Sequence, residues 1–522
     1  MTFIFSGDCG YKRESIDIWG LSKRSRKKAF YEESKTMNQY KKLLQDSALF
    51  GVIIFLVFVF SFQCSNNLFH TGNVFTDSSV FKYVARVIEN GGMPYRDTFD
   101  HKGPLIYIIN LVGLKIGEWR GTWVVEFAAL FITFVAMYKT AYLKSKSRTL
   151  SLAVLLFSGS ALFKYFQGGN LTEEYAIPFI AVSIYFFTDL FLNNKITNVR
   201  LIVGGVSLGA VCLLRLNMIP IWVVMCIGFL ALCIKQHDYK HLSRFIILFS
   251  VGFLIAVLPI LVWLINGDAF ISFFKDYWNF NRLYAMHVDW TQRCMSFVHF
   301  YNDTIFMLAL AAQVYLVLKY KNKYDVLYLA YFLLTLLMIA LSGHIYMHYG
   351  MIIVPALVHP ITCIAQEMLE KDKNQLVTKI VIVLVVICIA MPQWNNAATK
   401  MLKDFSTRKV NHIDSWHRKV AEFIKNNSDT DDKITVCGND DMYYNLSGRF
   451  SASRFSYTLP LFTVNNNYRN EFYNDIEKTK PKVIILPNSY YDYKAMMDYI
   501  QKNNYETVTS LKSKNISVYI KK

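Results

Sequence analysis

Eleven apolar runs, each 16–23 residues long, recur between residues 48 and 392, at 48–64, 121–143, 148–167, 175–193, 199–216, 218–235, 244–265, 301–319, 324–342, 350–366 and 377–392. A helix needs roughly 20 such residues to cross the hydrocarbon of a bilayer. Within lipid the backbone can satisfy its polar groups only as a helix or a closed barrel. The pattern therefore predicts a polytopic α-helical membrane protein of about 11 spans. Composition agrees. Only 18% of the residues are charged, against about 25% in a soluble chain. The 40 Phe and 33 Tyr suit lipid-facing walls and interfacial belts. A soluble enzyme, a disordered chain and a coiled coil are excluded, and the lipid bilayer is a partner.

Net charge is +18. No nucleic-acid module is legible, so we expect no nucleic-acid partner and read the excess as basic cytoplasmic loops. Residues 1–47 form a basic N-terminal segment with ten Lys or Arg, which predicts a cytoplasmic N-terminus. Met37 is an alternative start, which would leave residues 1–36 outside the native chain. The nine cysteines are scattered without CxxC or Cys/His spacing, so neither a zinc site nor a disulfide framework is indicated.

The run 104–117 has the length of a re-entrant or interfacial helix. If it does not span, every short loop sorts by charge. The inside loops then hold Lys144, Lys146 and Arg148; Lys195 and Arg200; Lys235, Lys240 and Arg244; Lys319, Lys321 and Lys323; and Lys371 and Lys373, whereas 168–174 and 343–349 hold no Lys or Arg. We therefore read 104–117 as juxtamembrane. The membrane domain is 48–392, with two long outer loops, 65–120 and 266–300, and the odd span count puts 393–522 outside. That C-terminal segment reads as a small extracytoplasmic α/β domain, with strands at 433–436, 483–486 and 515–520 and helical spacing at 417–424 and 495–500.

Chemistry concentrates in the first outer loop. Asp77 opens an amphipathic stretch to Glu89, followed by Asn90-Gly91-Gly92, Met93-Pro94-Tyr95-Arg96-Asp97 and Phe99-Asp100-His101-Lys102-Gly103-Pro104. Asp77 fits an N-cap. It also fits a base that takes a proton from an attacking hydroxyl or amine, with Lys102 and His101 neutralising charge on a leaving phosphate.

In this order after a first span, these elements resemble the GT-C membrane glycosyltransferases of the family 39 and aminoarabinose-transferase type, which are related to protein O-mannosyltransferases. The resemblance implies a GT-C-like membrane domain, a catalytic first outer loop and a C-terminal soluble domain. It maps the family's first-loop Asp, a base or metal contact, onto Asp77. The family's Lys-Pro-Pro element, which contacts the lipid phosphate, reads Lys102-Gly103-Pro104 here, with His101 beside it. Protein O-mannosyltransferases carry Asp-Glu at the first-loop site, where this chain has Asp77-Ser78, a departure from the protein-mannosylating type.

Further candidates lie on the outer side. Glu173 and Glu174, in a cation-free turn, resemble the family's second acidic, acceptor-side site, for which Asp97 and Asp100 are also candidates; a solvated turn is the alternative. Arg215 ends a span, where it either snorkels or holds a phosphate or carboxylate partner through its guanidinium fork. Asn281 and Tyr284, within Asp276–Tyr284, suit sugar contact or an interfacial aromatic belt. His348 and Tyr349 resemble the family's His-Tyr element before a span with Pro, here Pro355, and are candidate sugar or phosphate contacts. The cofactor is unknown, with a weakly held divalent cation at the carboxylates open. The function implied is transfer of a hexosyl or pentosyl group from a polyprenyl-phosphate donor to a cell-envelope glycan, lipid or protein. A lipid donor follows from outer-leaflet chemistry, because nucleotide sugars are cytoplasmic. The competing reading is a transporter or lipid flippase, which predicts inverted repeats and broken helices at the midplane; neither is evident.

Overall fold

The computed structural model of the chain describes residues 44–71, 76–286, 288–301, 303–344, 346–372, 374–407, 415–459, 461–511, 513 and 515–522. All but four residues of the basic segment 1–47, and the alternative start Met37, lie outside the described residues. The chain divides into two compact units, Met1–Leu56 and Val57–Lys522. Every helix and strand beyond residue 61 belongs to the second unit.

The apolar runs form helices. Among the described residues, seven are long and apolar enough to cross a membrane: α1 (Leu44–Ser61) and, after the intervening helices α2 (Thr76–Glu89) and α3 (Leu105–Gly117), α4 (Arg120–Ser145); then, past α5 (Arg148–Ser160), α6 (Thr172–Asn193). Two shorter apolar helices follow, α7 (Asn198–Cys212) and α8 (Pro220–Lys235), then the long α9 (Tyr239–Asn266). The set ends with α10 (Thr304–Tyr320), which is shorter, and the long α11 (Lys323–Leu341), α12 (Met347–Lys371) and α13 (Leu376–Thr407). All eleven expected runs are thus helical. The run 148–167 is the broken one, a 13-residue helix followed by the short helix Leu162–Tyr165.

The structure settles how 104–117 is built. The chain is helical from Leu105 to Ser145, yet it folds back near 117–120. A Cβ on Gly121 would lie 1.9 Å from the carbonyl oxygen of Gly113, whereas eight residues of straight helix separate two positions by about 12 Å. The two glycines let the backbones touch, and α3 returns alongside α4 instead of extending it.

The expected boundary at 392/393 falls inside α13, which continues to Thr407. The α/β region starts at α14 (Ser415–Asn426) and carries β1 (Lys433–Val436), α15 (Met442–Ser447), β2 (Phe450–Ser451), α16 (Asn466–Thr479), β3 (Val483–Pro487), α17 (Tyr493–Lys502), β4 (Tyr505–Thr507) and β5 (Ile516–Lys521). The sheet order is β2-β1-β3-β5-β4. β1 runs parallel to β2 and β3, while β5 runs antiparallel to β3 and β4. The β-branched runs Ile434–Val436 and Val483–Ile485 are buried, and Ile434, Val436, Val483 and Ile485 form its core with Val420 and Ile424 of α14, as a strand covered by helix requires. That core also takes Tyr83 and Val87 of α2. The C-terminal region therefore seats on α2: Arg86 donates to the Tyr444 carbonyl at 2.7 Å and Asn445 to the Ser79 carbonyl at 2.9 Å. The same end of the helix bundle gathers the segments 90–104, 167–174, 213–217, 276–284 and 343–349.

Candidate active site

The segment from α2 to α3 is held rigidly. Gly91 turns the chain off α2 with φ +84°, a conformation that costs glycine little. Tyr95 takes φ +67°, and its hydroxyl donates to the Lys102 carbonyl at 2.7 Å. Tyr107 of α3 reaches the same carbonyl at 3.2 Å. Gly103 donates its N–H to the Leu214 carbonyl at 3.0 Å, and a Cβ there would lie 2.1 Å from the Leu213 carbonyl oxygen. Proline at this position would lack the donor and add the clashing carbon. The packing thus accounts for Lys-Gly-Pro where the resembling family has Lys-Pro-Pro.

This backbone presents Asp100, His101 and Lys102 to a cavity of about 150 Å³. Asp77, from the first turn of α2, lines the same cavity, as do His348, Tyr349, Tyr284 and Tyr346. Asn281 fixes the state of His101. Its amide nitrogen donates to the carbonyls of His101 (2.7 Å) and Tyr277 (2.6 Å), so its oxygen accepts from His101 Nδ1 at 2.9 Å. Nε2 is then the acceptor for the Lys102 ammonium, also at 2.9 Å. Burial pushes the His101 pKa well below its ordinary value, and Lys102 adds to the effect. For Lys102, burial pulls the pKa down, but the carboxylates of Asp77 and Asp100 outweigh it and the net shift is upward. The site therefore holds a neutral imidazole beside a permanent ammonium. Asp100 is buried and accepts from Tyr107 (2.9 Å), Tyr457 (2.8 Å) and the His101 N–H (2.7 Å). Burial raises its pKa, with Lys102 opposing.

Arg215 lies beside this cavity. It donates to Glu173 and to the Tyr349 hydroxyl, both at 2.7 Å, and its guanidinium stacks 4.2 Å from the centre of the Tyr349 ring. It also lines a second cavity of about 340 Å³, together with Leu216, Trp278, Asn281, Met338 and Leu341. Tyr284 borders both cavities, which makes it their shared wall. His348 donates from Nδ1 to the Gln167 side-chain oxygen at 2.8 Å, leaving Nε2 as its acceptor.

Two candidates sit elsewhere. Asp97 is outside both cavities. It accepts the Met93 N–H at 2.7 Å and is clamped by its neighbour Arg96 at 2.9 and 2.7 Å, so it closes the 93–98 turn, a structural role in place of the expected acceptor-side one. Glu174 is directed away from Glu173. Successive helical residues point about 100° apart, and Glu174 accepts the Asn170 N–H at 2.6 Å in a separate buried cluster.

Three cavity residues come from a part of the chain that held no sequence candidate. Asn439, Tyr457 and Leu459 reach the cavity from the C-terminal region. Arg454 secures that contact by donating to Asp276 at 2.7 Å, to Glu471 at 2.6 Å and to the Tyr95 carbonyl at 3.1 Å. No periodicity or motif marks these positions; only tertiary packing brings them in.

Residues 37–372 match the family described as the putative competence-induced protein Ccs4 N-terminal domain, and residues 414–522 match the corresponding Ccs4 C-terminal domain. No curated protein matches. Among solved structures, ArnT from Cupriavidus metallidurans in the apo state is similar over 92% of this chain and 98% of its own, at 10% identity and a TM-score of 0.57. The same protein bound to undecaprenyl phosphate is similar over 91% and 97%, at 11% identity and a TM-score of 0.53. The Archaeoglobus fulgidus oligosaccharyltransferase tethered with an acceptor peptide is similar over 84% and 68%, at 11% identity and a TM-score of 0.53. Both neighbours have the GT-C fold. This chain is a multi-pass membrane protein of that fold and belongs to the putative competence-induced Ccs4 family.

Proposed function

We propose that the chain is a membrane glycosyltransferase that takes a sugar from a polyprenyl-phosphate donor at the outer leaflet and passes it to a cell-envelope glycan, lipid or protein. In this reading the N-terminus is cytoplasmic and the C-terminal α/β region extracytoplasmic. The observation that carries it is the shared cavity of Asp77 and Lys102, next to an apolar cavity with Arg215 on its wall. The first has room for a sugar phosphate; the second suits the start of a prenyl chain. The undecaprenyl phosphate bound by ArnT supports a donor of this class.

The chemistry is one displacement. An acceptor hydroxyl attacks the anomeric carbon from the face opposite the phosphate, and the bond from that carbon to the phosphate oxygen breaks, with inversion. Asp77 takes the hydroxyl proton. The polyprenyl phosphate leaves as an anion, and Lys102 and Arg215 stabilise the charge that develops on it. Neutral His101 holds the ammonium in place without adding repulsion, and Asn281 holds His101. Tyr284, Tyr349 and Tyr457 supply the flat and hydroxyl-bearing surfaces that sugar recognition uses.

The test is transfer by purified Asp77→Asn protein supplied with lipid-linked sugar. Loss of transfer with folding and donor binding retained is expected. Full transfer by this variant removes Asp77 as the base and with it the reading.

A further inference from the structure

We propose that Cys64, Glu126 and Glu174 form a binding site for one divalent transition-metal ion of the zinc class, beneath α2 and separate from the cavity of Asp77 and Lys102. Cys64 follows α1, Glu126 lies in α4, and Glu174 sits in the first turn of α6. One ligand atom from each residue lies within 4.8 Å of the other two. None of the three lines the Asp77–Lys102 cavity or the apolar cavity beside it. The proposal does not depend on the glycosyltransferase reading.

Burial and missing hydrogen bonds carry the argument. The three residues are 1%, 0% and 0% exposed. Both carboxylate oxygens of Glu126 and one of Glu174 are buried without a hydrogen-bond partner. A buried carboxylate in that state is costly unless it is paired or binds a metal. Space is also kept open at the cluster. Gly169, at φ +75°, is placed so that a Cβ would come within 2.4 Å of Glu126 Oε1 and 3.0 Å of Glu174 Oε2. Any other residue there would push into the carboxylates.

The charge balance points the same way. Two carboxylates and a thiolate carry three negative charges. Among the described residues, two cations face the cluster: Lys82, a buried residue of α2 whose ammonium donates to Asn66 and feels the Glu126 carboxylate, and Lys400, which feels Cys64 but whose charge the Asp404 carboxylate offsets. One ammonium leaves two negative charges over, and a divalent ion brings the sum to zero. Binding releases two protons to solvent, that of the Cys64 thiol and the one shared by Glu126 and Glu174, and forms one metal–sulfur and two metal–oxygen bonds. Such bonds are about 2.3 and 2.0–2.2 Å long for zinc, which small side-chain rotations reach from the present spacing. A mixed thiolate and carboxylate set favours a borderline ion of this kind over Mg²⁺ or Ca²⁺, which take oxygen ligands. The ligands come from three distant parts of the chain, so no short cysteine motif announces them. Through Lys82 and Asn66 the ion would hold α2, the helix that carries Asp77, against the ends of α4 and α6.

The test uses the full chain purified in detergent without chelator. Elemental analysis is expected to give about one zinc per chain. Cobalt(II) added to chelator-treated protein is expected to produce a thiolate-to-cobalt charge-transfer band, lost in Cys64→Ser and kept in Cys294→Ser, which alters an exposed thiol. Zinc-edge X-ray absorption of the unaltered protein needs no variant and should show one sulfur with a remainder of oxygen. A wild-type protein that takes up neither metal, a cobalt band that survives Cys64→Ser, or a zinc shell with no sulfur or with several sulfurs would overturn the site. The first of these outcomes would leave a Glu126–Glu174 pair sharing a proton.

Discussion

The ammonium of Lys102 lies 2.9 Å from Nε2 of His101, the residue immediately before it in the chain. Adjacent residues rarely bond through their side chains, and this pair does so because Asn281 holds the imidazole from its far side at 2.9 Å. The consequence is a cation aimed by a neutral ring that must stay neutral. Burial, and secondarily Lys102, holds the His101 pKa well below 6.5. Below pH 6.5 the unfolded chain therefore takes up a proton that the folded chain refuses, so stability is full above that value and is lost as pH falls towards the folded pKa. Thermal unfolding in detergent between about pH 5 and pH 8 should show a falling Tm on the acid side. His101→Gln, which cannot be protonated, should flatten that limb while leaving the Tm at the alkaline end nearly unchanged. An equally steep acid limb in the variant would remove His101 as its source.

Arg215 makes two bonds that diverge from one planar group, to Glu173 and to Tyr349, and stacks on the second. Lysine keeps the charge but has neither the fork nor the stacking plane. Arg215→Lys is expected to weaken binding of a polyprenyl-phosphate ligand about tenfold, equivalent to about 1.4 kcal/mol. Titration of the purified variant with the lipid phosphate measures this. Unchanged affinity would confine Arg215 to holding Glu173 in place.

Sequence order alone puts Asp77, His101 and Lys102 on one loop after the first span, because ionisable groups crowded at a membrane edge stand out against apolar runs. It does not say which of them share a surface. Asp97 has the same composition as a site residue, a carboxylate beside an arginine before an apolar stretch. In the structure that arginine closes a turn with it. Glu173 and Glu174 are adjacent in sequence but face different partners, since a helix rotates about 100° per residue. The span pattern was readable because hydrocarbon imposes length on each helix. The fold-back of α3 on α4 was readable only as a helix too short to span; its cause is the backbone contact of Gly113 and Gly121. Asn439, Tyr457 and Leu459 were out of reach, since they arrive only when the C-terminal sheet seats on Tyr83 and Val87.

Gly103 is constrained twice, by its N–H bond to Leu214 and by the Leu213 carbonyl 2.1 Å from where a Cβ would stand. The obstacle is backbone, which cannot swing aside as a side chain can. Gly103→Ala is expected to cost about 1–3 kcal/mol, the range for an overpacked carbon, and to displace Lys102. Thermal unfolding would report the first effect and transfer activity the second. Gly103→Pro, which also loses the donor, should be the more damaging of the two. If both variants unfold and turn over as the unaltered protein does, the 213–214 segment does not fix the loop.

Arg454 joins the C-terminal region to the membrane end by bonding to Asp276, 2% exposed at its side chain, while Glu471 of its own region holds the other edge of the guanidinium. Removing one partner of a buried ion pair costs about 3–5 kcal/mol, because the other charge is left behind. Arg454→Met should therefore lower the Tm sharply, and adding Asp276→Asn should recover part of the loss. The pH dependence gives an independent check. Burial raises the Asp276 carboxyl to about 6 against the pull of Arg454, so between 3.8 and about 6 the folded chain binds the extra proton. This group's contribution to stability is present at low pH and is lost as pH rises through about 6. Without Arg454 the folded pKa moves higher still. The loss in Arg454→Met should then continue to higher pH than in the unaltered protein, and should vanish in the double variant. A single variant whose unfolding profile merely shifts down in parallel at all pH values would show that Arg454 acts through its ring contacts with Phe455 and Tyr468 and not through Asp276.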